Sequence, residues 1–271
     1  MAEQRCVFPC LHQKHCPHGE NPTAVQRMPI EIPWTSLPVS TISPLTGAAM
    51  SSNSGGVFGW KMKKAGFDAI VVSGRAKKPV YLLLDNGKAE LRDAAGLWGK
   101  TTGQTTDAIV DELNDKSVRV ACIGPAGEKL VKFACIINEK TRAAGRGGAG
   151  AVMGAKNIKA IAARGDLPIT PADEAQLNIV KERVRKKITD NGIEQALTKF
   201  GTAVLVNIIN ENYVLPTRNF QTAHFAAAEK VSGETMAATI LQQNKGCYAC
   251  IVKCGRVCEV DGEHGEGPEY E

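Results

Sequence analysis

The sequence contains few aromatic residues and no long apolar run. Phe, Trp and Tyr make up 5% of its 271 residues, so small side chains and loops must account for much of the packing. No run of 18 apolar residues occurs, which argues against a membrane-spanning helix. The first six residues lack the apolar core of a signal peptide. We therefore expect a cytoplasmic protein with no membrane partner.

The sequence also lacks a strong excess of charge of either sign. Its formal net charge of +5 allows an anionic ligand but does not indicate nucleic acid, so we predict no nucleic-acid partner. Hydrophobic residues at 43% and charged residues at 23% are typical of a globular protein. The length allows one large domain or two ordinary ones.

Apolar spacing divides the chain into three parts. Residues 1–38 are rich in Pro, His and Cys and have no regular apolar period, so we expect an irregular segment. Residues 39–166 contain short runs rich in Val and Ile that predict strands, and residues 167–271 change to helical spacing after the N-cap residue Thr170. The predicted fold class is therefore α+β, with a sheet-rich domain followed by the start of a helical domain. The predicted strands cover residues 67–73, 79–85, 118–123, 131–138 and 158–164, and the predicted helices cover residues 102–114, 170–192, 193–200, 203–210 and 233–243.

The segment at residues 142–157, RAAGRGGAGAVMGAKN, has five glycines and three basic residues. This much glycine disfavours a regular helix or strand, and it lets backbone N–H groups approach an anion that the arginines neutralise. A second loop of small residues, SSNSGG at residues 51–56, offers further N–H groups. Two such loops in one domain can converge on a phosphate-bearing ligand such as a pterin cofactor. A plain glycine-rich turn with surface arginines is the alternative.

Gly145, Gly147 and Gly150 also match the dinucleotide-binding fingerprint. That fold needs a crossover helix between its strands, and only residues 149–156 lie between this loop and the next predicted strand. A Rossmann dehydrogenase that binds NAD therefore stays as an alternative. A P-loop is excluded because no Gly-x-x-x-x-Gly-Lys-Ser/Thr motif occurs.

Nine cysteines without a signal peptide suggest metal or redox sites in preference to disulfides. The spacing Cys247-x2-Cys250-x3-Cys254 places three thiols within eight residues, where they can bind one metal centre. An iron–sulfur cluster suits this spacing better than zinc, whose ligands usually come as two pairs. Spacing alone makes Cys258 the fourth ligand.

The remaining cysteines lie nearer the N-terminus. Cys122 and Cys135 occur singly in apolar runs and fit buried positions. Three cysteines and three histidines cluster in the first 18 residues: Cys6, Cys10, Cys16, His12, His15 and His18. A zinc-binding extension is one interpretation of this cluster. A wrong reading frame or a misjoined start is another, since the motifs that follow begin abruptly after residue 38.

Ten short motifs in the rest of the chain together resemble the aldehyde:ferredoxin oxidoreductase family, the tungsten- or molybdenum-pterin enzymes. The resemblance covers about residues 39–271, and the motifs occur in the family's order. They are SPLTG (43–47), NSGG (53–56), KAGFDAI (64–70), IGPAGE (123–128), RAAGRGG (142–148), GAKN (154–157), FGTA (200–203), NFQT (219–222), CYAC (247–250) and GPEYE (267–271).

The resemblance implies a sheet-built base under a bis-pterin centre that holds tungsten or molybdenum, with a [4Fe–4S] cluster beside it and Mg²⁺ bridging the pterin phosphates. The residues that it places at the pterin are Asn53, Gly55, Arg142, Ala143, Gly145 and Arg146. The cluster ligands that it implies are Cys247, Cys250 and Cys254. Glu271 matches a catalytic glutamate near the metal that can handle a proton.

The reaction that the resemblance implies is the two-electron oxidation of an aldehyde, with water, to a carboxylic acid. The electrons then leave singly through the cluster to ferredoxin, so the expected partners are an aldehyde substrate, ferredoxin and a second copy of the chain in a homodimer. The metal carries out the difficult chemistry, and the protein fixes its geometry and tunes its potential.

The chain departs from the family in three respects. Residues 1–38 do not match, and Ser36-Leu37-Pro38 replaces a family motif that carries a pterin-contacting arginine. The family continues for several hundred residues beyond the position of Glu271 and takes its fourth cluster cysteine from there. Cys258 is not a usual family position.

We therefore expect a truncated fragment of such an enzyme, inactive on its own. One alternative is a tungsten subunit that reduces the ring of an aromatic acyl-CoA. The other is a non-catalytic iron–sulfur or pterin-binding module for electron transfer.

Overall fold

The computed structural model describes residues 37–267, which form eleven strands and eight α-helices. The strands are β1 (Leu37–Ile42), β2 (Ala49–Ser54), β3 (Val80–Asp85), β4 (Lys88–Asp93), β5 (Arg119–Cys122), β6 (Ile136–Asn138), β7 (Arg142–Ala144), β8 (Ile158–Arg164), β9 (Leu241–Lys245), β10 (Gly255–Val260) and β11 (Glu263–Gly267). The helices are α1 (Phe58–Lys64), α2 (Thr102–Leu113), α3 (Pro125–Glu128), α4 (Ala149–Ala155), α5 (Glu174–Thr189), α6 (Gly192–Phe200), α7 (Leu205–Glu211) and α8 (Gly233–Thr239).

The α+β class is confirmed. None of the helices in this range has the length and apolar character needed to cross a bilayer.

A six-stranded sheet with the order β4-β3-β8-β5-β6-β7 forms the centre of the first part of the chain. Strands β3 and β8 run parallel, and the other neighbouring pairs are antiparallel. Alternate residues of β5 face opposite sides: Val120 and Cys122 pack with Ile109 of α2, whereas Ala121 packs with Phe58 of α1. Both faces of the central strands are covered, which explains why those strands are nearly continuous apolar runs.

Two smaller sheets accompany the central one. Strands β1 and β2 form an antiparallel pair whose residues Leu37, Val39 and Met50 pack against the α1 side of the central sheet. Strands β9, β10 and β11 form a second antiparallel sheet after the helices of the C-terminal part. This second sheet was not predicted, because its residues include few apolar side chains.

The elements with the strongest sequence patterns are confirmed. Strands β3 and β8 and helix α2 lie within one residue of the predicted bounds. Helix α2 begins with a capping box, in which the Thr101 hydroxyl accepts from the Gln104 N–H and the Gln104 side chain accepts from the Thr101 N–H. This reciprocal pair satisfies two N–H groups that a helix start otherwise leaves without partners.

The strand predicted at residues 67–73 is wrong. This segment follows α1 and pairs with no strand of the described range. Phe67 and Ile70 pack instead across the face of the sheet, against Leu82 and Leu84, and Val71 is 68% exposed. The apolar side chains of this segment therefore cover the sheet without joining its hydrogen-bond ladder.

Three other predicted bounds are corrected. The strand expected at 131–138 shortens to β6, because Ala134 donates to the Val131 carbonyl in a turn at 2.9 Å. Helix α5 begins at Glu174, with Asp173 as N-cap in place of Thr170, and the Asp173 carboxylate accepts from the Gln176 N–H at 2.8 Å. The helix expected at 233–243 ends at Thr239, where the chain turns into β9.

Candidate functional site

The two small-residue segments lie against each other, but the prediction that both are loops is wrong. Residues 51–54 belong to strand β2, and residues 142–157 contain strand β7 and helix α4. The glycines of α4 serve close packing instead, since a Cβ on Gly154 would lie 2.0 Å from the Gly127 carbonyl oxygen.

The Arg146 N–H donates to the Ser52 hydroxyl at 3.1 Å, which joins the segment at residues 142–157 to strand β2. A Cβ on Gly147 would lie 2.1 Å from Cε of Met50, so the end of that flexible side chain would have to move, and the φ of +75° at Gly147 is in the region that favours glycine. The predicted pterin residues Asn53, Gly145 and Arg146 are exposed at this junction, where their N–H and side-chain donors are accessible to a ligand.

Arg142 connects the glycine-rich segment with the cysteine motif. Its side chain is 4% exposed, and a Cβ on Gly255 would lie 2.8 Å from its Nη2 atom. Burial raises the pKa of the neighbouring Cys254 thiol, the nearby Cys247 and Cys250 raise it further, and Arg142 opposes this change. The three predicted cluster thiols and Arg142 thus lie within electrostatic reach of one another.

Arg256 anchors the end of the cysteine motif to helix α6. Its guanidinium is buried and donates to the Leu197 carbonyl at 2.9 Å and to the Thr198 carbonyl at 3.2 Å. It also donates to the Lys253 carbonyl within the motif at 3.0 Å. Burial lowers the pKa of Arg256, and the nearby Cys254 and Cys258 oppose that shift. The positive charge therefore lies near Cys254, one of the thiols that we predict to bind the cluster.

The loop that follows β2 touches the cysteine motif directly. The Gly56 N–H donates to Sγ of Cys247 at 3.1 Å, and the Tyr248 N–H donates to the Gly56 carbonyl at 3.2 Å. The rings of Tyr248 and Trp60 stack with centroids 4.2 Å apart. Residues 191 positions apart in sequence are therefore joined at the predicted boundary between the pterin side and the cluster side.

Two residues of this site were missed by sequence reasoning. Asn138 ends strand β6, and its amide Nδ2 donates to the Gly55 carbonyl at 2.9 Å. Glu139 follows it, and its Oε1 accepts from the Val57 N–H at 2.6 Å. Asn138 is the last residue of β6, and Glu139 is the first residue of the turn before Arg142. A polar pair that interrupts an apolar strand next to a glycine-rich loop is the signal that would have identified them.

The cysteine motif suits the chemistry of an iron–sulfur ligand set. It offers three thiols in one short segment and a backbone N–H that donates to one of the sulfurs, and such hydrogen bonds help to set the reduction potentials of these clusters. Within residues 37–267, no three His, Cys, Asp or Glu side chains gather closely enough to hold a single metal ion. Cys258 lies on strand β10, beyond the motif.

Several predicted residues fall outside the part of the chain that the structure describes. These are the proposed catalytic residue Glu271 and the N-terminal cluster of Cys6, Cys10, Cys16, His12, His15 and His18. Their roles stay predictions. Cys122 is buried, as predicted, and Cys135 is partly buried.

A cavity of about 580 Å³ lies away from the candidate site. It is bounded by β1, α1, α4 and the segment after α1, and its walls are mostly apolar. None of the predicted pterin or cluster residues lines it. The polar junction of the two glycine loops with the cysteine motif therefore fits the predicted chemistry better than this cavity does.

Comparisons with known proteins agree with the motif pattern. Residues 32–165 match the N-terminal domain of aldehyde ferredoxin oxidoreductase, and residues 179–271 match domains 2 and 3 of the same family. A tungsten-containing aldehyde ferredoxin oxidoreductase of Pyrococcus furiosus is 52% identical over 86% of this chain and 39% of its own length. The corresponding protein of Thermococcus kodakarensis is 50% identical over the same shares.

A solved structure shares the fold. The active-site complex BamBC of benzoyl coenzyme A reductase, in complex with 1,5-dienoyl-CoA, superposes with a TM-score of 0.68 at 30% identity. The match covers 88% of this chain and 38% of that one. The chain thus spans about two-fifths of the length of each relative named here.

Proposed function

The chain belongs to the aldehyde ferredoxin oxidoreductase family, and we propose that it forms the pterin base and the first three cluster ligands of an aldehyde-oxidising enzyme. The observation that carries this proposal is the contact between the Gly56 N–H and Sγ of Cys247 at 3.1 Å. It joins the loop of Asn53 and Gly55 to the cysteine motif, so one site can hold both groups.

In this proposal the residues of the chain divide the binding work. Asn53, Gly55, Ala143, Gly145 and Arg146 hold the pterin and its phosphates through backbone N–H groups and side-chain donors, because anions bind well to such loops. Arg142 lies between the pterin side and the thiols, where its charge balances both. When bound, the tungsten–pterin group supplies the oxidation of an aldehyde and water to a carboxylic acid, two protons and two electrons.

The cysteines hold the [4Fe–4S] cluster in this proposal. Cys247, Cys250 and Cys254 provide three ligands, and the fourth comes from outside residues 1–271. The electrons pass one at a time to ferredoxin, and Glu271 handles a proton. Mg²⁺ bridging the pterin phosphates, a homodimer and a cytoplasmic location complete the proposal, and we expect no activity from residues 1–271 alone.

Metal and cofactor analysis of anaerobically purified protein tests this function. We expect iron bound through the cysteine motif, and tungsten or molybdenum with pterin once the rest of the site is supplied. Cys250→Ser should lower the iron content several-fold, whereas the matched variant Cys258→Ser should leave it unchanged. If the complete site binds iron but no pterin, the function is limited to an electron-transfer module. If the protein binds no iron and no pterin, the proposal is contradicted.

Reduction of an aromatic acyl-CoA ring is a second candidate. The solved benzoyl coenzyme A reductase complex supports it, although its identity of 30% is well below the 52% of the aldehyde-oxidising relative. Assays of the complete enzyme with an aldehyde and with an aromatic acyl-CoA separate the two. Turnover of the acyl-CoA alone would favour ring reduction.

A further inference from the structure

Both backbone polar groups of Gly56 make hydrogen bonds to the cysteine motif. Its N–H donates to Sγ of Cys247, and its carbonyl accepts from the Tyr248 N–H. The flanking groups are fixed by the turn after β6, since the Gly55 carbonyl accepts from Asn138 and the Val57 N–H donates to Glu139. The glycine is therefore held between the β6 turn and the cysteine motif.

The packing around Gly56 leaves little freedom for another arrangement. Its φ of +98° is in the region that favours glycine, and a Cβ would lie 2.9 Å from Nδ2 of Asn138 and from both carboxylate oxygens of Glu139. Asn138 is fully buried and also accepts a short hydrogen bond from the Ser54 hydroxyl. A buried amide with both ends bonded is a rigid support.

We propose that Asn138 and Glu139 are positioning residues that hold the Gly56 N–H on Cys247 and thereby raise the reduction potential of the bound cluster. The inference rests on the proposed role of Cys247 as a cluster ligand. A hydrogen bond to a ligand sulfur stabilises the form with more negative charge, which is the reduced cluster. Loss of the support lets the N–H move away from the sulfur, and reduction becomes less favourable.

The test compares three variants of the iron-loaded protein by EPR-monitored redox titration. Glu139→Ala removes the acceptor for the Val57 N–H, and we expect about a tenfold smaller preference for the reduced cluster, which is about 59 mV for one electron. Glu139→Gln removes the charge but keeps a side-chain oxygen that can accept, so its potential should match the wild type. Asp107→Asn removes a carboxylate that pairs with the neighbouring Lys140 at 2.6 Å and should change nothing.

A second measurement needs no cluster. In the metal-free protein, amide hydrogen exchange at Gly56 should be at least about tenfold faster in Glu139→Ala than in Glu139→Gln, because only the latter keeps the loop in place. Failure of the wild type to bind iron would contradict the proposed function, while exchange would still decide the positioning role. Two results would overturn the inference. One is an equal rate of amide hydrogen exchange at Gly56 in all variants, and the other is an equal shift of the reduction potential in Glu139→Ala and Glu139→Gln.

Discussion

The sheet region before residue 166 and the helical region after it bury their side chains very differently. In the sheet region, strands β3 and β8 are mostly buried, and three clusters of apolar side chains fill both faces. In the helical region, neither α5 nor α6 has a buried residue. Ile179 is 62% exposed, Ile193 72% and Phe220 81%. One region has its own core, and the other leaves apolar surface uncovered within residues 37–267.

This difference indicates where the stability of the chain resides. An amphipathic helix is stabilised mainly by packing of its apolar side, and the helical region has little such packing within the described residues. We infer that the sheet region opens cooperatively and at high free energy, whereas α5 and α6 open locally at low free energy. The chain spans 39% of the length of these two relatives.

The largest expected contrast concerns two ion pairs. Lys159 and Glu128 form a pair that is 0% and 5% exposed, whereas Lys186 and Asp190 form a pair on α5 that is 79% and 59% exposed. Lys159→Ala should lower the free energy of unfolding by about 3–5 kcal/mol, because it leaves a carboxylate buried without its partner. Lys186→Ala should cost no more than about 0.5 kcal/mol.

Urea unfolding of both lysine variants, with the sheet signal followed separately, measures this contrast. The double variant Lys159→Met, Glu128→Leu serves as the control, since replacing both charges with apolar groups should restore most of the loss. Similar losses from the two single variants would contradict the difference between the regions.

Two isoleucines, one in each region, allow the contribution of apolar burial to stability to be compared. Ile123 is fully buried at the end of β5, and Ile179 is 62% exposed on α5. Ile123→Ala should destabilise by about 2–5 kcal/mol, since it removes buried methylene and methyl groups and leaves a cavity. Ile179→Ala should change stability by less than about 0.5 kcal/mol. Thermal or urea unfolding of each variant measures this difference. If Ile179→Ala lowers the free energy of unfolding by more than about 2 kcal/mol, the Ile179 side chain is buried in solution and the contrast between the two regions fails.

Patterns of apolar spacing predicted the central sheet and α2, but not the segments that lack a local period. Strands β3 and β8 are buried on both faces and therefore stand out as apolar runs. Strands β9 to β11 have mostly polar sequences, and they are stabilised by pairing with one another and by the hydrogen bonds of Arg256 to helix α6. Residues 67–73 show the opposite failure, because an apolar run reports burial and not hydrogen-bond pairing.

The candidate site was predictable in composition but not in its connections. Glycine content indicated the segment at residues 142–157, and cysteine spacing indicated the three thiols, whereas the pterin roles of Arg142, Gly145 and Arg146 came from the resemblance and stay predictions. The contact between Gly56 and Cys247 joins positions 191 residues apart, and no local pattern contains that information. Asn138 and Glu139 were missed for the same reason, since their partners come from a distant strand.

Two helical glycines extend the contrast to backbone packing. A Cβ on Gly154 of α4 would lie 2.0 Å from the Gly127 carbonyl oxygen, whereas a Cβ on Gly192 at the start of α6 would meet nothing within 4 Å. Gly154→Ala should destabilise by about 1–3 kcal/mol, because α4 must move away from α3. Gly192→Ala should be neutral or slightly stabilising, by up to about 1 kcal/mol. Comparable melting temperatures for the two variants would show that α3 and α4 can separate without cost.

The last expected contrast is a dependence on alkaline pH that one buried thiol gives to the sheet region. Burial raises the pKa of Cys122 from 9.0 to about 11, so the folded state keeps its proton when the unfolded state has lost it. The stabilisation is complete below pH 9 and is lost as the pH rises to about 11, by about 1.4 kcal/mol for each unit. Cys122→Ala should flatten this decline in the free energy of unfolding, measured by urea unfolding at a series of pH values. An equal slope in Cys122→Ala and the wild type would mean that water reaches this thiol in the folded sheet.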